Sequence, residues 1–81
     1  MRVRVLLFAV ARQAAGSGAV EVELPEPATV ADLQAALAVQ CPPLEPVLGQ
    51  CAVAIGHRYA APSQAVTPGI EVALIPPVSG G

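Results

Sequence analysis

One stretch of this 81-residue chain combines helical spacing with a sharp start and a sharp stop, and it leaves room only for short strands on either side. Thr29 opens it. The Thr29 hydroxyl can accept from the amide three residues on, where Asp32 places a carboxylate that favours a helix start. Val30, Leu33, Ala36 and Leu37 then fall on one face at a spacing of about 3.6 residues. Pro42-Pro43 removes two successive amide donors and ends the helix.

The flanking segments read as strands. Val3, Val5 and Leu7 alternate with Arg2, Arg4, Leu6 and Phe8, which gives a strand with one buried face. The pattern breaks in a turn at Gly16-Ser17-Gly18. Val20, Val22 and Leu24 then alternate with Glu21 and Glu23, and Pro25 closes the second arm of an expected N-terminal hairpin. After a loop through Gly49, Ala52 to Ile55 form an apolar strand, Gly56-His57 turns the chain, and Arg58 to Ala60 return briefly. Pro68-Gly69 fits the centre of a type II turn, and Glu71 to Ile75 make a last strand apolar enough to lie centrally. One helix on one face of a mixed sheet of about four to five strands is a two-layer α+β domain. With the last strand inserted beside the first it would be a β-grasp, a topological step that periodicity cannot supply. Residues 1–75 form the expected domain and residues 76–81 a tail.

Composition narrows the function. The formal net charge is −2, from six acids against four arginines with no lysine, and the arginines are scattered. Nucleic-acid binding needs clustered cations, so no such partner is expected. Cys41 and Cys51 are too few for a disulfide framework or a zinc site and read as buried reduced thiols. Asp32, Glu45, Arg58 and Glu71 interrupt the apolar sequence well short of the ~18 residues a membrane span needs. Met1 to Ala11 has some features of a signal peptide, but reads better as a first strand, and a cytoplasmic location is expected. No phosphate-binding loop, metal cluster or acid–base pair is visible, so no bound cofactor is expected.

The sequence ends Pro76-Pro77-Val78-Ser79-Gly80-Gly81. The prolines hold the tail extended, and two glycines without Cβ atoms can thread a narrow channel. Such an end suits delivery of the Gly81 carboxylate into another protein's active site. Transfer of AMP from ATP would activate that carboxylate, and a sulfur nucleophile could then displace AMP to leave a thiocarboxylate. The chain itself has nothing to perform the activation, so it reads as a carrier on which other enzymes act.

Val72 to Gly81, with Leu7-Phe8-Ala9, Arg12, Gly16 and Thr29-Val30-Ala31-Asp32-Leu33, resembles the small subunit family of molybdopterin synthase over essentially the whole chain. That resemblance implies a ubiquitin-like β-grasp charged by an ATP-dependent adenylyltransferase resembling the ubiquitin-activating enzyme. It also implies a large synthase subunit that receives the tail and acts on a cyclic pyranopterin, in a heterotetramer. By position, Gly81 would carry the thiocarboxylate beside Gly80. Phe8, Tyr59 and Ile75 would form an apolar contact patch, Pro76, Pro77, Val78 and Ser79 would lie in the partner's groove, and Arg12 would add a polar contact. Two positions depart from the family: Gly56 stands where Asn is usual, and Ile70 where Asp precedes the last strand.

Several residues keep two readings. Phe8, on the strand face opposite Val5 and Leu7, is either an interface aromatic or part of a secondary core under a loop, and Tyr59 shares that ambiguity. Arg12 is either a partner contact or half of a local salt bridge. His57 reads as a solvated turn residue without a function. At the level of function, a carrier for another pathway such as thiamine biosynthesis, a ubiquitin-like protein modifier, and a non-covalent binding module with an inert tail stand beside the molybdopterin carrier.

Overall fold

The computed structural model describes residues 1–76. Strand β1 (Arg2–Leu7) buries Val3, Val5 and Leu7 and turns Arg2 and Arg4 to solvent, as the alternation requires. It pairs antiparallel with β2 (Ala19–Glu23), in the register Val3↔Val22 and Val5↔Val20. The two strands are not joined by a tight turn. Helix α1 (Ala9–Ala15) fills the connection, so the expected simple hairpin is corrected to strand, helix, strand. This helix is seven residues long and fully buries Ala11 alone, which leaves no periodic signal to separate it from the apolar run of β1. Gly16, at φ 73°, closes it in the left-handed conformation, and its N–H donates to the Arg12 carbonyl at 2.9 Å.

After the short strand β3 (Ala28–Thr29), helix α2 (Val30–Gln40) starts at Thr29. The Asp32 N–H donates to Thr29 Oγ1 at 3.3 Å, and the Thr29 N–H donates to Asp32 Oδ2 at 2.8 Å, a reciprocal capping box. Two further amides of the first turn, those of Val30 and Ala31, donate to the carbonyls of Gln64 and Pro62 at 2.9 and 3.0 Å. Every orphan donor at this end thus has a partner. Strand β6 (Ala65–Val66) pairs with β3 and holds that loop in place. Val30, Leu33 and Leu37 are buried on the sheet side, as their spacing predicts.

Pro42–Leu44 form a 3₁₀ turn that leads into helix α3 (Glu45–Leu48), where a plain loop was expected. Leu44 is completely buried. Cys41 and Cys51 are half-buried rather than buried, and burial pushes the Cys51 thiol up. Strand β4 (Ala52–Ile55) turns through Gly56 and His57 into β5 (Arg58–Tyr59), and β7 (Val72–Ile75) completes the sheet. Both turn residues have positive φ, 57° and 70°, the requirement of a two-residue hairpin turn whose twist matches its strands. Glycine at position 56 meets that requirement.

The sheet order is β2-β1-β7-β4-β5, with β7 parallel to β1 and antiparallel to β4. The last strand therefore lies in the middle, beside the first. Leu7, Leu33, Leu37, Leu44 and Leu74 fill the space between sheet and helices, joined by Val5, Val22, Val30 and Val72. Each such side chain contributes about 1.5–3 kcal/mol through burial.

Candidate functional site

The helices cover one face of the sheet, and the residues between the core positions make the other. Register places them in rows. Leu6 on β1 is level with Ala73 on β7, Ala73 with Ala54 on β4, and Ala54 with Tyr59 on β5. Directly paired residues share a face, so these four form one apolar row across four strands. Ile75 pairs with Ala52 in the adjacent row, and Phe8 follows β1 at the same end.

Phe8 remains 46% exposed and Tyr59 61%, which decides both ambiguities against a secondary core. A shallow cavity of ≈ 280 Å³ lies here, lined by Leu6, Phe8, Ala54, His57, Glu71, Ala73 and Ile75. At its rim His57 Nε2 sits 3.5 Å from Glu71 Oε2, and the imidazole is otherwise open to solvent. An exposed pair like this contributes little to stability, so its main effect is to set a polar border on an apolar patch.

The direction of β7 decides where the described residues end. Because β7 runs parallel to β1, its last residues emerge beside Leu7 and Phe8. Ile75 and Pro76 are half-buried there, at the edge of the patch. Pro77, Val78, Ser79, Gly80 and Gly81, the remaining candidate residues, lie outside the described residues. Arg12 is exposed on α1 and makes no ion pair among the described residues, so the local salt bridge weighed for it is not found there.

The opposite end of the outer face is charged. Arg2 Nε donates to Glu23 Oε1 at 2.9 Å, and that contact holds the guanidinium pKa above its ordinary value. A larger groove of ≈ 460 Å³ between β1 and the loop before β7 is lined by Arg2, Arg4, Thr67 and Glu71 among others. It mixes both charge signs and lies toward the start of β7 rather than its end. Ile70, where the family has Asp, packs its side chain against the core and lies in the turn closed by Gly69 at φ 80°. Among the described residues, no three His, Cys, Asp or Glu side chains gather as a metal site would need. Nor is any helix among them long and apolar enough to cross a membrane.

Sequence alternation alone places Leu6 and Phe8 on the outward face, and the family resemblance adds Tyr59 and Ile75, but neither points to Ala54 or Ala73. Those two join the patch through the registers of β1 with β7 and β7 with β4, which local pattern does not encode.

A sheet with its first and last strands parallel and adjacent, one long helix across one face and an opposite face that no helix among the described residues covers defines a ubiquitin-like β-grasp protein. Within that class the chain belongs to the ThiS family, whose model matches residues 5–81 and so runs through both terminal glycines. It is 39% identical over 83 residues to the molybdopterin synthase sulfur carrier subunit of Chlamydomonas reinhardtii, covering 100% of both chains. It is 33% identical over 81 residues to the protein of the same name from Arabidopsis thaliana, covering 100% of this chain and 84% of that one. Its structure is similar to the crystal structure of SAMP1 from Haloferax volcanii, with a TM-score of 0.86, 35% identity and 100% coverage of both chains.

Proposed function

We propose that the chain is a cytoplasmic sulfur carrier, the small subunit of molybdopterin synthase, with sulfur held as a thiocarboxylate on Gly81. The observation that carries this reading is the emergence of β7 into Pro76 at the edge of the exposed patch around Phe8, in a chain whose family match continues to Gly81. A partner that takes the tail must approach over Phe8, Ile75 and Tyr59. The two named relatives supply the pathway.

The chemistry balances without a reactive group in the domain. The Gly81 carboxylate attacks the α-phosphorus of ATP, held by the adenylyltransferase, and pyrophosphate leaves. Hydrosulfide from the sulfur donor attacks the resulting acyl-adenylate at its carbonyl carbon, the bond to AMP breaks and AMP leaves, a proton is lost, and a thiocarboxylate remains. In the large subunit this sulfur attacks an oxygen-bearing carbon of the cyclic pyranopterin, and the C–O bond there breaks with its electron pair going to the departing oxygen. Water then cleaves the acyl–sulfur bond to restore the carboxylate and leave the sulfur on the substrate. The domain contributes docking, with Phe8, Tyr59 and Ile75 as apolar anchors, Arg12 as a polar contact, Pro76, Pro77, Val78 and Ser79 lying in the partner's groove, and Gly80 as the slim neighbour of Gly81. Two such subunits at the ends of a large-subunit dimer give the heterotetramer.

Intact mass tests the reading, after incubation with ATP, an adenylyltransferase of this class and a sulfur donor. An oxygen-to-sulfur increment that vanishes on deleting Gly81 is expected. An unchanged mass, with an enzyme proven active on another carrier, would sink it. A second reading follows from the likeness to the archaeal protein, which is named small archaeal modifier protein 1. A modifier forms isopeptide conjugates, so lysine-linked adducts requiring Gly81 would move the assignment in that direction.

A further inference from the structure

Strand β2 is one margin of the five-stranded sheet, and a margin offers a row of N–H and C=O groups to any chain able to pair with them. The pairing with β1 fixes which residues carry that row. The Leu24 N–H donates to the Met1 carbonyl, the Leu7 N–H donates to the Gly18 carbonyl, and Val22 and Val20 continue the same phase between them. The even-numbered residues of this arm thus turn their backbone groups toward β1. Ala19, Glu21 and Glu23 turn theirs outward.

Two of those three positions are already filled by side chains. The Ser17 hydroxyl donates to the Ala19 carbonyl at 2.7 Å and accepts from the Ala19 N–H at 3.3 Å. Gln40, the last residue of α2, accepts from the Glu23 N–H through Oε1 and donates through Nε2 to the Glu23 carbonyl, both at 2.9 Å. A carboxamide presents one acceptor and a donor side by side, the same functions a neighbouring strand would bring. Among the described residues, only Glu21 leaves both outward groups without a protein partner. Its carboxylate also stays free of the ion pair that Arg2 makes with Glu23.

We infer that the β2 margin is a latent interface for a second copy of this chain, held shut by Ser17, Gln40 and the Glu21 carboxylate. The symmetric arrangement shows why all three matter. An antiparallel pair of β2 strands centred on Glu21 sets the two Glu21 side chains opposite each other and Ala19 opposite Glu23 of the other copy. Like charges directly opposite are destabilising, and the flanking ladder positions are occupied by Ser17 and Gln40 in both copies. The other margin, β5, is only two residues long and offers little to pair with. Closing β2 keeps the chain from assembling edge to edge.

Sedimentation velocity over a wide concentration range tests this on the full chain, wild type against S17A/Q40A and S17A/Q40A/E21T. The wild type stays monomeric, the double variant shows a concentration-dependent dimer, and the triple variant dimerises at lower concentration. A triple variant that is folded by circular dichroism yet monomeric throughout would overturn the inference, and so would a wild type that already dimerises through β2. Amide exchange on the wild type needs no variant to fold. The Ala19 and Glu23 amides should exchange about tenfold more slowly than that of Glu21, since each holds a hydrogen bond that Glu21 lacks. Equal, fast exchange at all three would show that the side chains do not occupy the margin.

Discussion

On β1 and β7, Val5, Leu7, Val72 and Leu74 point to the helical side and are at most 1% exposed, while Leu6 and Ile75 on the same strands, with Phe8 beyond β1, face away from it. Alternate residues of one backbone thus serve two surfaces. The inner surface is continuous with α2 and Leu44, so each of its side chains is held by neighbours on several elements. The outer surface is divided along its length, with Arg2, Arg4, Glu21 and Glu23 at one end and the Phe8–Tyr59–Ile75 patch at the other. The core lies on one side only, and this leaves the exposed residues of the other side free to change without unfolding the domain.

The largest expected effect lies on the inner face. Leu74→Ala removes a completely buried side chain from the central strand and should cost about 2–5 kcal/mol, measured as a fall in the urea midpoint. A small domain has little stability to spare, so the variant should be partly unfolded under ordinary conditions. A cost below about 1 kcal/mol would mean that the site collapses around the cavity and that the inner face is looser than its burial implies.

Phe8→Ala should do the reverse. With Phe8 46% exposed and outside the core, the urea midpoint should move by about 1 kcal/mol or less, while affinity for the large subunit, read by calorimetry, should fall at least tenfold or so. Aromatic anchors at an interface centre commonly have such weight. A stability loss matching that of Leu74→Ala, with affinity unchanged, would erase the distinction between the two faces.

How far the sequence discloses these surfaces follows from the range of each physical signal. The Thr29 cap, the Leu33–Leu37 face and the Pro42-Pro43 stop are local, and the structure reproduces them residue for residue. Alternation likewise separates Val5 and Leu7 from Phe8. Helix α1 escapes notice because seven residues with one buried alanine give no period, and β3 and β6 because two-residue strands exist only through each other. The patch is half legible. Phe8 and Tyr59 stand out as the only aromatics and Leu6 shares the Phe8 face by alternation, while Ala54 and Ala73 join them through long-range register alone.

The smallest effect concerns the joint between the faces. The chain leaves β1 at Leu7, keeps Phe8 extended at φ −129° and ψ 153°, and then turns into α1 through Ala9 at φ 52°. An L-residue in this left-handed region is disfavoured by about 1–2 kcal/mol, because Cβ crowds the following carbonyl oxygen. Glycine escapes that clash but loses more backbone freedom on folding, a counter-term of about 0.5–1 kcal/mol. Ala9→Gly should therefore stabilise the domain by a few tenths to about 1 kcal/mol and leave partner affinity unchanged, since the turn that presents Phe8 is preserved. Ala9→Val sharpens the test, because a β-branched residue resists positive φ and should both lower stability and displace Phe8. If Ala9→Gly destabilised the domain instead, the left-handed turn would not be what lifts Phe8 off the inner face, and the separation of the two surfaces would have to arise further along α1.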